Sequence, residues 1–172
     1  LLPGLQTNGV PKNLKDTAFP FHYNDFDALE EIVKNKNIGA IKMEVERNNG
    51  PQNDFLKKVR KLASDNNAIL IFDECTSGFR ETFGGLHKKY GVEPDMAMYG
   101  KALGNGYAIT ATIGKKEIME AAQNTFISST FWTERIGPTA AIKTLEVMKN
   151  IESWKQISKT GEEIKSKWRD LS

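Results

Sequence analysis

Cysteine is almost missing from this sequence: Cys75 stands alone, so no intrachain disulfide can staple the fold, and a reducing, cytoplasmic location is expected. Histidine is nearly as scarce. His22 and His87 lie far from each other and from Cys75, which leaves neither zinc-ligand spacing nor a Cys/His catalytic pattern, and Cys75 reads as a packed side chain. No stretch approaches the roughly 18 apolar residues of a membrane-spanning helix. An excess of one charge is absent too. The 24 basic residues face 22 acidic ones, a net charge of +2, so no basic stripe suits a phosphate backbone and nucleic acid is not an expected partner. No G-x-G-x-x-G follows a strand and no Walker loop occurs, which argues against a nucleotide-binding domain.

What is present has the balance of a soluble globular protein, 39% hydrophobic and 27% charged over 172 residues, enough for one domain with a real core. Residues 1–23 hold three of the six prolines and read as irregular connection, with a short strand expected around Ala18 to Tyr23. Asn24 or Asp25 can cap a helix bearing Phe26, Leu29, Ile32 and Val33. A strand follows over Ile38 to Glu46, closed by the turn residues Asn48, Asn49, Gly50 and Pro51. Asn53 or Asp54 can cap the next helix, whose apolar stripe is Phe55, Leu56, Val59, Leu62 and Ala63. The unbroken run Ala68 to Phe72 has the profile of a parallel strand buried on both faces.

Further strands are expected at Asp95 to Tyr99 and Tyr107 to Ile113. Helices are expected at Lys115 to Ala122, Thr133 to Asn150 and beyond residue 151, where Thr160 to Glu163 fits a capping box. The tryptophans read as packing residues. This alternation predicts an α/β fold with a mainly parallel sheet and flanking helices, in which ligands sit beyond the carboxyl ends of the strands. Glu44, Asp73 and Lys101 lie near such ends.

Asp73 follows four large apolar residues, so its carboxylate stands at the lip of a dry core and needs a cationic partner. On spacing alone it is equally a strand-end carboxylate that caps the next helix or pairs with Arg80. Lys101 lies between a candidate strand and the glycine-bearing turn LGNG, where backbone can approach a ligand closely. A desolvated lysine there would serve as an amine nucleophile; an exposed loop lysine is the plainer alternative.

Taken together, IFDECTSGFR (Ile71 to Arg80), MYGKALGNGYAITA (Met98 to Ala111) and SSTF (Ser128 to Phe131) resemble class III aminotransferases, enzymes of fold type I that depend on pyridoxal 5'-phosphate (PLP). The motifs match in order and spacing through most of residues 10–150, with a flavour of glutamate-1-semialdehyde aminomutase. The resemblance implies that Lys101 forms the Schiff base with the cofactor and acts as general base. It implies that Asp73 pairs with the pyridine nitrogen, keeping the ring protonated and able to accept electrons. Thr130, with Ser129, would bind the cofactor phosphate, across the interface of a homodimer whose active site is shared.

The resemblance loosely matches Glu44 to a strand-end glutamate that helps position the substrate or its gating arginine, but Val45 replaces the proline usual after it, and a solvent-facing strand-end glutamate is the alternative reading. Trp132 to Arg135 also departs from the small residues common after the threonine. The resemblance implies transfer of an amino group between an amine or amino acid and a carbonyl acceptor, or its movement within one molecule as in a 2,1-aminomutase. Residues 1–150 would belong to the large cofactor-lysine domain, and residues 151–172 would form a helical segment leading toward the small C-terminal domain. Family members are longer, and the phosphate cradle and ring-stacking aromatic they place upstream are not recognisable here. The chain is accordingly expected to be part of a larger enzyme, and by itself a catalytically silent fragment is the competing expectation.

Overall fold

The computed structural model describes residues 4, 6–46 and 48–171. The chain divides into two units, Leu1–Asn37 and Ile38–Ser172. In the first, residues 18–22 are irregular rather than a strand. The apolar residues there alternate with Pro20 and His22 over too few positions to commit the backbone, and Pro20 lacks the amide a ladder needs. Helix α1 (Phe26–Asn35) starts where expected, with Asp25 accepting a hydrogen bond from the Ala28 amide, and it buries Leu29 and Val33.

The second unit is built on a four-stranded sheet in the order β1 (Ala40–Glu44), β2 (Ile69–Asp73), β3 (Met96–Tyr99) and β4 (Ala111–Gly114). The first three strands run parallel and β4 closes the edge antiparallel to β3. The predicted mainly parallel α/β sheet is therefore present. Helix α2 (Phe55–Asp65) connects β1 to β2 and buries Phe55, Leu56, Val59, Leu62 and Ala63, all five of the predicted stripe. Asp54 holds its N-cap position at a φ of +58° without capping it, because its carboxylate binds Lys57 Nζ instead, at 2.9 Å.

The sheet has two unequal faces. Ile41, Met43, Leu70, Phe72, Ala97 and Tyr99 are buried on one. The other carries Lys42, Glu44, Ile71, Asp73 and Met98, all intermediate or exposed. The apolar run Ala68 to Phe72 thus alternates between buried and half-buried positions instead of being covered on both sides. An unbroken apolar run satisfies either pattern, since periodicity alone cannot report what covers the second face.

Helix α3 (His87–Tyr90), too short to leave a periodic signature, lies between β2 and β3. After β4 come α4 (Lys116–Met119), a 3-10 turn over Glu120–Asn124, and α5 (Ile136–Ile151). Glu152, at a φ of +49°, ends α5 in the left-handed region, and α6 (Ser153–Leu171) follows. The predicted capping box at Thr160 to Glu163 lies inside α6. Its acids serve the helix surface, Glu162 pairing with Lys165 at 2.9 Å. Of the tryptophans, Trp154 packs against Phe83, with ring centroids 5.4 Å apart. Trp132 and Trp168 are 67% and 70% exposed, contrary to a packing role.

Asp95 ties the elements together. Its carboxylate accepts from Arg60 Nη1 of α2 at 2.8 Å, from the Leu70 amide of β2 at 2.8 Å and from Lys115 Nζ beside β4 at 2.7 Å. Burial pushes its pKa up, but these three donors outweigh burial and hold it below the ordinary 3.8. A depressed folded-state pKa contributes stability that is present above the ordinary value and is lost as pH falls through the depressed one. Asp95→Ala is expected to destabilise the protein by about 2–4 kcal/mol. Urea midpoints measured across pH check this, and the variant should show a weaker dependence below about pH 4 than the parent.

Candidate active site

Three parallel strands end at one edge, and there the register sets the site. Glu44 closes β1 directly beside Asp73, which closes β2, and Asp73 in turn pairs with Met98. Lys101 follows β3 after Tyr99 and Gly100. Neighbouring strands lie about 4.8 Å apart, so residues at three successive strand ends fall within reach of one ligand.

The turn after β2 joins these ends. Asp73 Oδ1 accepts from the Cys75 amide at 3.2 Å, and Lys101 Nζ donates to Thr76 Oγ1 at 2.6 Å. Lys101 opens a short 3-10 turn at a φ of +42°, an uncommon conformation for a side-chain-bearing residue and one that marks a constrained position. Arg80 does not pair with Asp73; its Nε donates to the Thr76 carbonyl at 2.6 Å. The cationic partner of Asp73 is Lys42 of β1, with Nζ 2.8 Å from Oδ2. The Lys42 hydrogen bond is the main reason the Asp73 carboxyl is held below its ordinary pKa, against the opposing effect of burial, with the Cys75 amide adding to it. Asp73 is therefore an anion that already binds an ammonium.

Cys75 lies between these charges. Burial, and then the negative charge of Asp73, push its thiol pKa up, while Lys101 and Lys42 act the other way. It stays protonated near neutrality, as a packed cysteine should, and a thiolate nucleophile is not what this site offers.

Below the turn is a pair that the sequence did not advertise. Glu74 is fully buried, and Oε1 accepts from the His87 amide at 3.0 Å and faces His87 Nδ1 at 2.8 Å. Ser77 Oγ donates to the other oxygen. Burial pushes the Glu74 pKa up, but the bonds from His87 and Ser77 more than offset it, and the net direction is down. Gly85 makes room for the pair: a Cβ there would meet the His87 ring at 2.3 Å and Glu74 Oε1 at 2.7 Å. The available sequence signal was weak, a second acid after Asp73 at the end of an apolar strand.

Ser129 and Thr130 lie on an exposed loop between the Glu120–Asn124 turn and α5. Among the described residues no hydrogen bond links their side chains to Asp73 or Lys101, so the chain brings Glu44, Asp73 and Lys101 together without them. A separate, largely apolar cavity of about 720 Å³ is lined by Phe79, Phe83, Ala97, Tyr99 and Leu145 among others, with the charged Asp95 and Lys115 also in its lining, and it includes none of Glu44, Asp73 and Lys101. Tyr99 packs there against Phe79, with centroids 5.4 Å apart, and burial pushes its hydroxyl pKa up to about 12.

The class-III aminotransferase family model matches residues 10–172. The chain belongs to the class-III aminotransferases. It is 43% identical over 149 residues to 3-aminobutyryl-CoA aminotransferase of Cloacimonas acidaminovorans, an alignment covering 81% of this chain and 36% of that protein. It is 40% identical over 152 residues to glutamate-1-semialdehyde 2,1-aminomutase of Nitrosopumilus maritimus, covering 83% of this chain and 36% of the relative. Among solved structures, FumI of Sphingopyxis sp. MTA144, in its PLP internal aldimine form, superposes with a TM-score of 0.70 at 28% identity, over 76% of this chain and 34% of that one. The class-III chain described here thus spans little more than a third of each, and its fold is that of the fold-type I transferases.

In this class-III chain the Glu74–His87 pair supports the turn that carries Asp73 and Thr76. Gly85→Ala drives a methyl group into that pair and is expected to destabilise by about 1–3 kcal/mol. A urea midpoint measured beside that of Gly39→Ala, where the added Cβ would meet nothing within 4 Å and the backbone is not left-handed, separates this clash from a general effect of losing a glycine.

Proposed function

We propose that this chain holds pyridoxal 5'-phosphate at Asp73 and Lys101 and serves amino-group transfer between an amine or amino acid and a carbonyl acceptor. The observation that carries the reading is the pairing of an ionised carboxylate, already gripping an ammonium at 2.8 Å, with a lysine amine anchored one turn away at Thr76. The donor set fits the cofactor. Asp73 would take a protonated ring nitrogen as it takes Lys42, and Lys101 would be the amine that holds the cofactor at its aldehyde carbon, whose oxygen would leave as water. When bound, the cofactor supplies an electron sink for the pair of electrons left on the substrate carbon when its proton departs. Lys101 would be the base that takes this proton at its Nζ and returns it during the transfer. Asp73 keeps the ring nitrogen protonated, and Glu44, beside it in register, orients the substrate.

Ser129 and Thr130 supply hydroxyls to the cofactor phosphate of a second subunit in a homodimer. Their exposure supports this role, as does the apolar surface around them, where Phe126, Phe131 and Trp132 are 97%, 75% and 67% exposed. Residues 1–150 act within the large cofactor domain, and residues 151–172 lead toward the small one. The working location is cytoplasmic; among the described residues no helix is long and apolar enough to cross a membrane. The similarity to a 2,1-aminomutase at 40% identity supports a second reading, migration of the amino group within one substrate.

Borohydride trapping with PLP, followed by peptide mapping, tests the assignment. Label is expected on Lys101, with visible absorption that Lys101→Ala abolishes. Label on another lysine, or a coloured Lys101→Ala variant, would refute it.

A further inference from the structure

Lys42 has no part in the chemistry assigned above, yet it makes the closest contact to the residue that governs it. It stands on β1 on the half-open face of the sheet, two positions before Glu44 and one strand away from Asp73. Its Nζ donates to Asp73 Oδ2 at 2.8 Å, while the Cys75 amide occupies Oδ1. The lysine side chain is 54% exposed and that of Asp73 is 25% exposed. Ion pairs this wet contribute little to folding, so stability does not explain a lysine here. Its ammonium matches a protonated pyridine nitrogen in charge and in donating an N–H to a carboxylate. Its flexible four-carbon stem, half in solvent, also allows it to leave.

We propose that Lys42 is a tethered stand-in for the cofactor's ring nitrogen, which holds Asp73 ionised and aimed until the cofactor arrives and then yields Oδ2 to it. The inference rests on the assignment of Asp73 to that nitrogen. It carries a sign opposite to ordinary electrostatics. Pyridoxal phosphate is an anion through its phosphate, so a lysine that merely enriches the site in positive charge strengthens binding, and its removal weakens it. A lysine that competes with the ring for one carboxylate weakens binding, and its removal strengthens it.

Equilibrium dialysis of the purified protein against PLP decides between them in a double-mutant cycle of Lys42→Met and Asp73→Ala. With Asp73 present, Lys42→Met is expected to lower the apparent Kd about three- to tenfold, and Lys42→Arg to leave it near the parent value. In the Asp73→Ala background the gain from Lys42→Met disappears. Weaker or unchanged binding by Lys42→Met, or equal tightening with and without Asp73, overturns the stand-in role. Failure of the site itself shows separately, as Asp73→Ala binding PLP as tightly as the parent or as label absent from Lys101, and either result removes the basis of the proposal. Circular dichroism of each variant confirms that the compared proteins share one fold.

Discussion

A carboxylate cannot be taken out of water without donors to replace the water, and Glu74 is completely buried. That requirement organises the ground beneath the candidate site. His87 must turn both its amide and its ring toward Glu74, which places α3 under the end of β2, and Ser77 must fold back to the second oxygen. The Glu74 amide meanwhile continues the ladder to Met98 at 2.8 Å, and its carbonyl accepts from Gly78 at 2.8 Å. With the residue fixed at every polar atom, the turn from Asp73 to Phe79 has little freedom left. Asp73 and Thr76, the two side chains that meet Lys42 and Lys101, inherit that rigidity. The Asp73 carboxylate is thus held in place by a structural one next to it, and the two lie on opposite sides of the same turn.

The sheet divides its labour in a similar way. One face is closed by α2 and by the cluster of Ala97, Tyr99, Leu103 and Ala141, and this is the face that stabilises. The other is half open and bears the charged strand ends. Parallel register is what converts this into a site, because it aligns Glu44 with Asp73 instead of offsetting them. An antiparallel β2 would have sent its acid to the far edge.

Much of this was legible in the sequence where the signal is local. The stripe on α2 and the strands leading to Asp73 and Tyr99 were readable from periodicity, as was the first strand, although it was expected over Ile38 to Glu46 and spans only Ala40–Glu44. The family likeness was carried by three short motifs. What periodicity could not report were contacts across strands. Lys42 looks like the solvent half of an alternating strand, and only the β1–β2 register reveals that its partner is Asp73. Arg80 is nearer in sequence but is spent on the Thr76 carbonyl. The four residues of α3 cannot show a period, and its cause, a buried glutamate, is tertiary. The capping box failed for the reverse reason: Thr160, Glu162 and Glu163 fit the local pattern, but Ser153 had already begun the helix.

The placement of charge around Cys75 completes the chemical logic. Two nucleophiles, a thiol and an amine, stand within one turn of each other, and an aldehyde held there would meet both. Asp73 separates them. The partial burial of Cys75, and then the negative charge of Asp73, raise the thiol pKa, so the sulfur keeps its proton and remains a poor nucleophile. Lys101 faces the hydroxyl of Thr76, a neutral partner that orients the amine without an ion pair to tie it down. The same carboxylate that binds Lys42 thereby also keeps the thiol beside Lys101 in its protonated form.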